Sequence, residues 1–174
     1  MSPGDVDPGL ILRNAIEMEV QGKDFYERAA GKMQNKRGKE MFLSLVNQER
    51  VHIDVLEDQL DKFVHDKNWM NLGQLMKEPP PKISVFDDKT IKQISIGPDA
   101  GELDVINIGI EVEKKSISYY HDAGIQVPDK NAKEMFNWLV AQETGHLQIL
   151  QAEYDYRARS GFYFGKPEFS MEVM

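Results

Sequence analysis

An internal repeat constrains the fold of this chain more than any other feature of the sequence. Residues 15–56 align with residues 109–150 at a constant offset of 94, without a gap, and sixteen of the forty-two pairs are identical. The best-matched block pairs KEMFLSLVNQERVH with KEMFNWLVAQETGH. Chance would give about two or three identities, so the halves are copies of one unit and predict a pseudo-twofold axis.

Each copy has the spacing of two amphipathic helices. Apolar residues recur at steps of three, four and seven, which is the period of one helical face. Capping and turn residues mark the expected boundaries. These are Asp7 with Pro8 and Gly31 for the first helix, Asp99 with Glu102 for the start of the third, and Pro128 with Asp129 and then Gly161 for the fourth.

The chain is predicted to form a single domain over residues 1–174. It comprises a first hairpin at about 8–65, a crossover at about 66–100, a second hairpin at about 101–160 and a tail at 161–174. A crossover of this length lets the second and third helices run parallel, which predicts an all-α, ferritin-like four-helix bundle. The alternative, two separate hairpins on a linker, would leave each apolar stripe exposed to water.

Composition narrows the possible chemistry and partners. The sequence has no cysteine, which excludes disulfides, thiol catalysis and cysteine-bound metals, so any metal must bind Glu, Asp or His. The net charge of −8 argues against nucleic acid or an anionic membrane as a partner. No signal segment or run of about 18 apolar residues is present, and a cytoplasmic location is expected.

Glutamates at positions where the helical pattern calls for apolar residues are the informative chemical feature. A buried carboxylate costs several kcal/mol unless it is paired or binds a metal. Four glutamates occupy such positions, and two of them precede a histidine by three residues, on the same helical face. This is the ligand set of di-iron and di-manganese bundles. The candidate metal ligands are Glu19, Glu49, His52, Glu113, Glu143 and His146.

Other repeated acids lie on the opposite sides of the same helices. Glu17 is about 200° from Glu19 around the helix, and Glu40 is about 180° from Glu49. We therefore expect exposed side chains at Glu17, Glu40, Glu111 and Glu134, and also at the remaining histidines, His65 and His121.

The charge of the candidate ligands suits two divalent cations. Four ionised glutamates and two neutral histidines sum to −4, which two such ions would cancel. Without metal, some of the carboxylates should hold protons. Oxygen and imidazole ligands suit iron, manganese or zinc, so the ligand set leaves the metal open.

The segments AIEMEVQGKDFYERAA, QERVH, GIEVEKKSISYYHDAG and QETGH resemble the di-iron domain of rubrerythrins, in the ferritin-like superfamily. The resemblance implies two iron ions that reduce hydrogen peroxide, or react with oxygen, using electrons from a separate donor. It also implies that Glu49 and Glu143 bridge the metals and that Glu19 and Glu113 are more terminal ligands. Two tyrosines, Tyr26 and Tyr120, match family residues that hydrogen-bond to ligand carboxylates; simple core packing is the alternative for them.

Two departures from the family pattern limit what the resemblance implies. Typical rubrerythrins have an additional glutamate where this chain has Ser116, whose repeat partner is Gly22. In the family, that carboxylate supports a movement of iron between redox states, which is therefore not expected in this chain. These small residues either leave room for peroxide or oxygen or simply allow close helix packing. Typical members also carry a rubredoxin domain with four cysteines, and this sequence has no cysteine. The electrons are therefore expected to come from an external donor such as a rubredoxin-like protein.

Two other functions remain open on the sequence. Ferritins and bacterioferritins use similar ligands, which makes ferroxidase activity and iron storage an alternative. Arg50 stands where haem-binding bacterioferritins have Met, and the crossover and tail argue against a cage. The other alternative is a non-catalytic binding protein that its metals hold together. A homodimer is the expected assembly.

Two aromatic segments are predicted to serve packing. The tail aromatics should cover one end of the bundle or form a dimer contact. They are Phe162, Tyr163, Phe164 and Phe169. The crossover is expected to contain a short packed helix formed by Trp69, Met70, Leu72, Leu75 and Met76.

Overall fold

The computed structural model describes residues 7–71, 96, 100–158, 162–163 and 166–167. The helices are α1 (Pro8–Lys32), α2 (Lys36–Asp66), α3 (Glu102–Gln126) and α4 (Lys130–Ala158). Two short strands, β1 (Phe162–Tyr163) and β2 (Lys166–Pro167), pair antiparallel, and β1 lies beside α4. No helix in the described ranges is both long and apolar enough to cross a membrane.

The four helices form two hairpins that pack into one bundle. Helix α1 packs mainly on α2, and α3 mainly on α4, while α1 also contacts α3. The α1–α3 pair is antiparallel, because Tyr26 contacts Glu113 while Glu19 contacts Tyr120. Since α2 also runs antiparallel to α1, α2 and α3 are parallel. The predicted all-α, ferritin-like bundle is confirmed.

Side-chain caps begin three of the helices. The Asp7 carboxylate accepts a hydrogen bond from the Gly9 amide at 2.9 Å, and Asn35 caps α2 in the same way. Asp129 accepts from the amides of Asn131 and Ala132 at 2.8 and 3.1 Å. These bonds satisfy amides that have no partner within the helix, and they confirm the predicted roles of Asp7 and Asp129.

Helix α3 begins differently from the sequence prediction. Its N-cap is Gly101, whose amide donates to the Asp104 carboxylate at 3.0 Å, and the predicted cap Asp99 lies outside the described residues. Glu102 instead accepts from the Gln34 amide at 2.6 Å and pairs with Arg157. The predicted capping box is therefore wrong, because the Glu102 carboxylate joins the two hairpins.

The helix ends differ slightly from those predicted. Helix α1 continues past Gly31 to Lys32, and α4 ends at Ala158, while Gly161 is outside the described residues. Helix α2 ends at Asp66, and its C-cap Lys67 has a left-handed backbone at φ 56° and an amide that donates to the Phe63 carbonyl. This local bond closes the last turn of α2.

The beginning of the crossover is packed but not helical. Gln59 donates to the Asn68 carbonyl at 3.3 Å and accepts from the Met70 amide at 2.8 Å. The ring of Trp69 packs against Phe136, with centroids 6.1 Å apart. The short helix predicted here is wrong for Trp69 and Met70, because side-chain bonds hold this backbone in a non-helical path.

Several predicted packing residues lie outside the described structure. The crossover residues are Leu72, Leu75 and Met76, and the tail residues are Phe164 and Phe169. The side chains of Phe162 and Tyr163 are likewise outside the description, and their predicted packing role stays a prediction.

Two hydrophobic clusters fill the bundle on either side of a polar layer. One cluster includes Leu12, Ile16, Leu56, Phe136 and Leu139. The other includes Phe25, Phe42, Leu45, Ile106 and Leu150. The buried glutamates and histidines lie along the helices between these clusters. Each hairpin contributes residues to both apolar clusters. The polar layer therefore lies between them, at the centre of the bundle.

Candidate metal centre

All four helices supply side chains to the polar layer. Helix α1 supplies one glutamate, α3 supplies another, and α2 and α4 each supply a Glu-x-x-His pair. The side chains that the structure brings together are Glu19, Glu49, His52, Glu113, Glu143 and His146. Each of these residues is only 1–3% exposed. Burial at this level strips the carboxylates of water and leaves them dependent on one another.

The six residues divide into two overlapping groups. Within each group, one ligand atom from every residue lies within 4.8 Å of the others. The groups are Glu19, Glu49, His52 and Glu143, and Glu49, Glu113, Glu143 and His146. Glu49 and Glu143 belong to both groups, which is the arrangement of bridging carboxylates. Glu19 and Glu113 each belong to one group, as terminal ligands do.

The two histidines have matching surroundings. His52 Nδ1 lies 3.0 Å from Glu143, 3.2 Å from Glu19 and 3.3 Å from Glu49. His146 Nδ1 lies 3.1 Å from Glu143, 3.3 Å from Glu49 and 3.5 Å from Glu113. The imidazole rings stack with centroids 5.3 Å apart. Three carboxylates therefore converge on Nδ1 of each imidazole.

Several buried polar atoms in this layer have no hydrogen bond. They are Glu113 Oε2, Glu143 Oε1, His146 Nδ1 and His146 Nε2. The carboxylate oxygens approach His146 Nδ1 closely but do not meet hydrogen-bond geometry. Buried polar atoms are almost always satisfied in folded proteins. These atoms belong to residues whose ligand atoms lie within 4.8 Å of one another, which suits metal ions, and the donor set fits a di-iron site.

Two buried tyrosines form hydrogen bonds between the two hairpins. The Tyr26 hydroxyl donates to Glu113, and the Tyr120 hydroxyl donates to Glu19. Each therefore orients the glutamate of the opposite repeat, as the pseudo-twofold symmetry requires. Such bonds fix the direction of a ligand carboxylate and tune its basicity.

In the absence of metal, the histidines and the glutamates of the layer have pKa values shifted in different directions. Burial lowers the pKa of His52 and His146, but the surrounding carboxylates outweigh it and raise both to about 12. Burial and neighbouring carboxylates hold the pKa of Glu19 and Glu113 well above its usual range. Burial also acts to raise the pKa of Glu49 and Glu143, but the close approach of Glu19 to Glu49, of Glu113 to Glu143 and of both histidines outweighs it and lowers both.

The tyrosines resist ionisation in this setting. Burial, followed by the charge of Glu113 and Glu49, raises the pKa of Tyr26 well above its usual value. Burial and the charge of Glu19 do the same for Tyr120. Both side chains therefore stay protonated at neutral pH and act as hydrogen-bond donors.

Residues predicted to lie away from the site do so. The exposed acids are Glu17, Glu40, Glu111 and Glu134. The side chains of His65 and His121 are 68% and 67% exposed. Helical phase therefore separates the candidate ligands from similar residues in the same helices.

A small residue lies beside one of the candidate bridging carboxylates. Gly22 is buried, and a Cβ placed there would meet only the Glu49 carboxyl group, at 3.8 Å. Its repeat partner Ser116 is 7% exposed. A longer side chain at position 22 would therefore reach toward Glu49.

Trp138 is a neighbour of the site that the sequence pattern did not predict. Its ring meets His52 edge-on, with centroids 5.4 Å apart and planes at 84°. The signal that could have identified it is a break in the repeat, because the equivalent residue is Ser44. A tryptophan five residues before a candidate ligand cannot be assigned to the site by helical phase alone.

The comparisons with known proteins agree with the observed fold. A hypothetical protein from Pyrococcus furiosus is 20% identical, covering 93% of this chain and 97% of that one, with a TM-score of 0.65. A dodecameric thioferritin, the bacterioferritin-related protein from Bacteroides fragilis, is 19% identical, covering 90% and 91%, with a TM-score of 0.66. A comparison with curated proteins gave no match.

Family membership follows from the sequence itself. The sequence model of the rubrerythrin family matches residues 11–154, which span both hairpins and all six candidate ligands. The match covers well over half of the 174 residues. The chain therefore belongs to the rubrerythrin family.

Proposed function

We propose that this protein is a di-iron oxidoreductase that reduces hydrogen peroxide with electrons from an external donor. The observation that carries the proposal is the buried layer of four glutamates and two histidines, arranged as two groups that share Glu49 and Glu143. Membership of the rubrerythrin family supports an iron-dependent oxidoreductase. Iron is favoured over manganese or zinc on the same grounds.

The residues have distinct roles in this proposal. Glu49 and Glu143 hold both ions, while Glu19 with His52 and Glu113 with His146 complete the two sites. Tyr26 and Tyr120 orient the terminal carboxylates through their hydroxyl groups. The two hydrophobic clusters exclude bulk water from both ends of the layer. Gly22 presents no side chain to the Glu49 carboxyl group, so this side is the proposed approach for a molecule as small as peroxide.

The chemistry that iron supplies is two-electron reduction of peroxide. Two bound ferrous ions would give two electrons which, with two protons, convert hydrogen peroxide into two water molecules. The protein's contribution is to hold the ions with a ligand charge of −4, so that the centre carries little excess charge in the low-dielectric interior.

The test begins with metal analysis of protein purified without added metal. Anaerobic loading with ferrous iron is followed by stopped-flow mixing with hydrogen peroxide or with oxygen, and iron oxidation is recorded by absorbance. Two irons per chain and oxidation much faster with peroxide than with oxygen are the expected result. Tightly bound zinc that is inert to both oxidants would contradict the proposal.

Ferroxidase activity with iron storage is the second candidate. The observation that favours it is the fold shared with a dodecameric thioferritin, although we propose a homodimer for this chain. Light scattering of the purified protein separates the two assemblies by mass. A twelve-subunit particle that oxidises ferrous iron faster with oxygen and accumulates many irons per chain would favour storage.

The third candidate is a non-catalytic bundle in which the bound metals only stabilise the fold. Removal of the metals with a chelator distinguishes it from the other two. The unpartnered buried atoms of Glu113, Glu143 and His146 support a stabilising role for metal in any case. Loss of the fold on chelation, with no peroxide or oxygen chemistry in the loaded protein, would favour the staple. Retention of both fold and peroxide turnover after reloading supports the oxidoreductase.

A further inference from the structure

Trp138 connects the candidate metal centre to the protein surface. Its indole ring contacts the imidazole of His52 edge-on, with centroids 5.4 Å apart. The six candidate ligands are 1–3% exposed, whereas Trp138 is only partly buried. Trp138 therefore touches a ligand on one side and reaches solvent on the other.

The repeat shows that this aromatic connection belongs to one half of the molecule. Position 138 corresponds to position 44 at the offset of 94, and Ser44 is exposed. The neighbouring core positions are identical, with Phe42 matching Phe136 and Leu45 matching Leu139. These two core positions thus keep the same residue in both halves, while the residue beside the histidine at position 138 differs from its repeat partner.

The surface of α4 on the C-terminal side of Trp138 carries no charge, whereas the exposed Glu134 lies one turn before it. Residues 137–152 contain one Asp, Glu, Lys or Arg, which is the buried Glu143, although such residues make up 29% of the chain. The exposed residues of this stretch are Asn137, Ala141, Gln148 and Ile149. A redox protein can approach Trp138 from this side without desolvating a charged side chain of α4, although the chain has a net charge of −8.

We propose that Trp138 is the electron-transfer residue through which an external one-electron donor protein delivers electrons to the His52 side of the centre. The inference rests on the proposed function, because peroxide reduction consumes two electrons that must be replaced. Two donor molecules, each oxidised by one electron, supply them in succession past the indole and the imidazole. No bond of Trp138 forms or breaks in this transfer.

The absence of cysteine makes a direct test possible. Ala141→Cys and Asn47→Cys are repeat-equivalent exposed positions, each three residues beyond Trp138 or Ser44. A ruthenium photoreductant is attached to each cysteine of the iron-loaded, oxidised protein, and a flash starts electron transfer. We expect transfer from position 141 to be faster than from position 47 by about tenfold.

Variants at the tryptophans assign the difference to the indole. Trp138→Leu should slow transfer from position 141 by about tenfold and leave transfer from position 47 unchanged, as in a double-mutant cycle. Trp138→Phe, which keeps a ring against His52, should restore part of the rate, and Trp69→Phe should change neither rate. Iron content and midpoint potential should be the same in all variants.

The outcomes separate this inference from the proposed function. Bound iron with equal rates from the two positions, or a Trp138→Leu effect that is equal at both, would overturn the electron-transfer role alone. Absence of iron from the loaded protein would overturn the proposed function and this inference together.

Fluorescence gives a readout that is independent of turnover. Trp69→Phe leaves Trp138 as the only tryptophan, and Trp138→Phe leaves Trp69. Loading with Co²⁺ should quench the emission of Trp138 strongly and that of Trp69 weakly, because Trp138 contacts the His52 ring. Equal quenching of the two would contradict the contact on which the inference depends.

Discussion

Glutamate serves two purposes in this bundle, and helical phase decides between them. Glu17 and Glu19 are two residues apart in α1, yet Glu17 is exposed and Glu19 is 3% exposed. Glu49 and Glu143 lie in both metal-ligand groups, so each would contact both ions. Removing either one should therefore affect two metal sites, whereas removing a solvated glutamate should affect none.

The first prediction tests this difference. Glu49→Ala and Glu143→Ala should each lose most of the bound metal and abolish peroxide turnover, because a bridging ligand of both ions is missing. Metal per chain is measured after gel filtration, and turnover is measured on the loaded protein. Glu17→Ala is the control and should retain both; similar losses in all three variants would refute the assignment of the helical faces.

The second prediction concerns the tyrosine pair. Tyr120→Phe removes the donor to Glu19 but keeps the ring that packs against Phe136, with centroids 6.2 Å apart. Metal affinity should fall by about 10–100-fold while the fold is kept, because the Glu19 carboxylate loses the bond that orients it. Competition with a chelator measures the affinity.

The matched control for this variant is the adjacent tyrosine. Tyr119→Phe removes a hydrogen bond to the Ile11 carbonyl, which does not touch a ligand. Its metal affinity should equal that of the unmodified protein. If both variants lost affinity equally, the effect would come from loosened packing of α3.

At the residue scale, helical spacing in the sequence was enough to predict that the six candidate ligands and both tyrosines lie close together. Each lies at a helical position where periodicity alone fixes the direction of the side chain. Trp138 could not be found in this way, because its contact with His52 runs from α4 to α2. The Glu102–Arg157 pair joins residues from two helices and likewise depends on tertiary packing.

At the element scale, the helices form where local signals and tertiary contacts agree. Asp7 and Asp129 cap their helices as predicted, since an N-cap acts on amides two or three residues ahead. The start of α3 departs from the local signal because Glu102 binds Gln34 and Arg157. Trp69 and Met70 depart from it because Gln59 bonds to the chain around them.

The third prediction tests a cap. Asp129→Ala should lower the free energy of unfolding by about 1 kcal/mol, because the first amides of α4 lose their acceptor. Denaturant unfolding of the metal-free protein measures it. Asp122→Ala, at an exposed position whose carboxylate is near His121, should change it much less. Equal destabilisation by the two variants would mean that the Asp129 cap contributes little.

At the scale of the whole molecule, duplication explains how a buried charged layer can be accommodated. Each hairpin contributes three carboxylate or imidazole groups to the same layer, and each tyrosine supports a glutamate of the other copy. Two similar units therefore complete one centre, with apolar residues of both units sealing its two ends. The layer itself must balance its charge, with protons before metal binds and with cations afterwards.

The proton balance of the metal-free centre follows from its pKa shifts. At neutral pH both histidines carry a second proton, because their pKa values are raised to about 12. Glu19 and Glu113 hold protons more readily than Glu49 and Glu143, because the pKa is raised for the first pair and lowered for the second. Protonated histidines beside the ionised Glu49 and Glu143 bring the net charge of the buried cluster closer to zero.

The fourth prediction is that metal binding releases these protons. Ligation requires neutral imidazoles and ionised carboxylates, so two ions should displace about two protons from the histidines and, in addition, any protons held by Glu19 and Glu113. Metal affinity should therefore rise with pH through the neutral range, because protons compete with the cations for the same atoms. Calorimetric titration with Co²⁺ in buffers of different ionisation enthalpy counts the protons. Glu17→Ala should release the same number, whereas release of fewer than two would show that the metal-free ligands are already largely deprotonated.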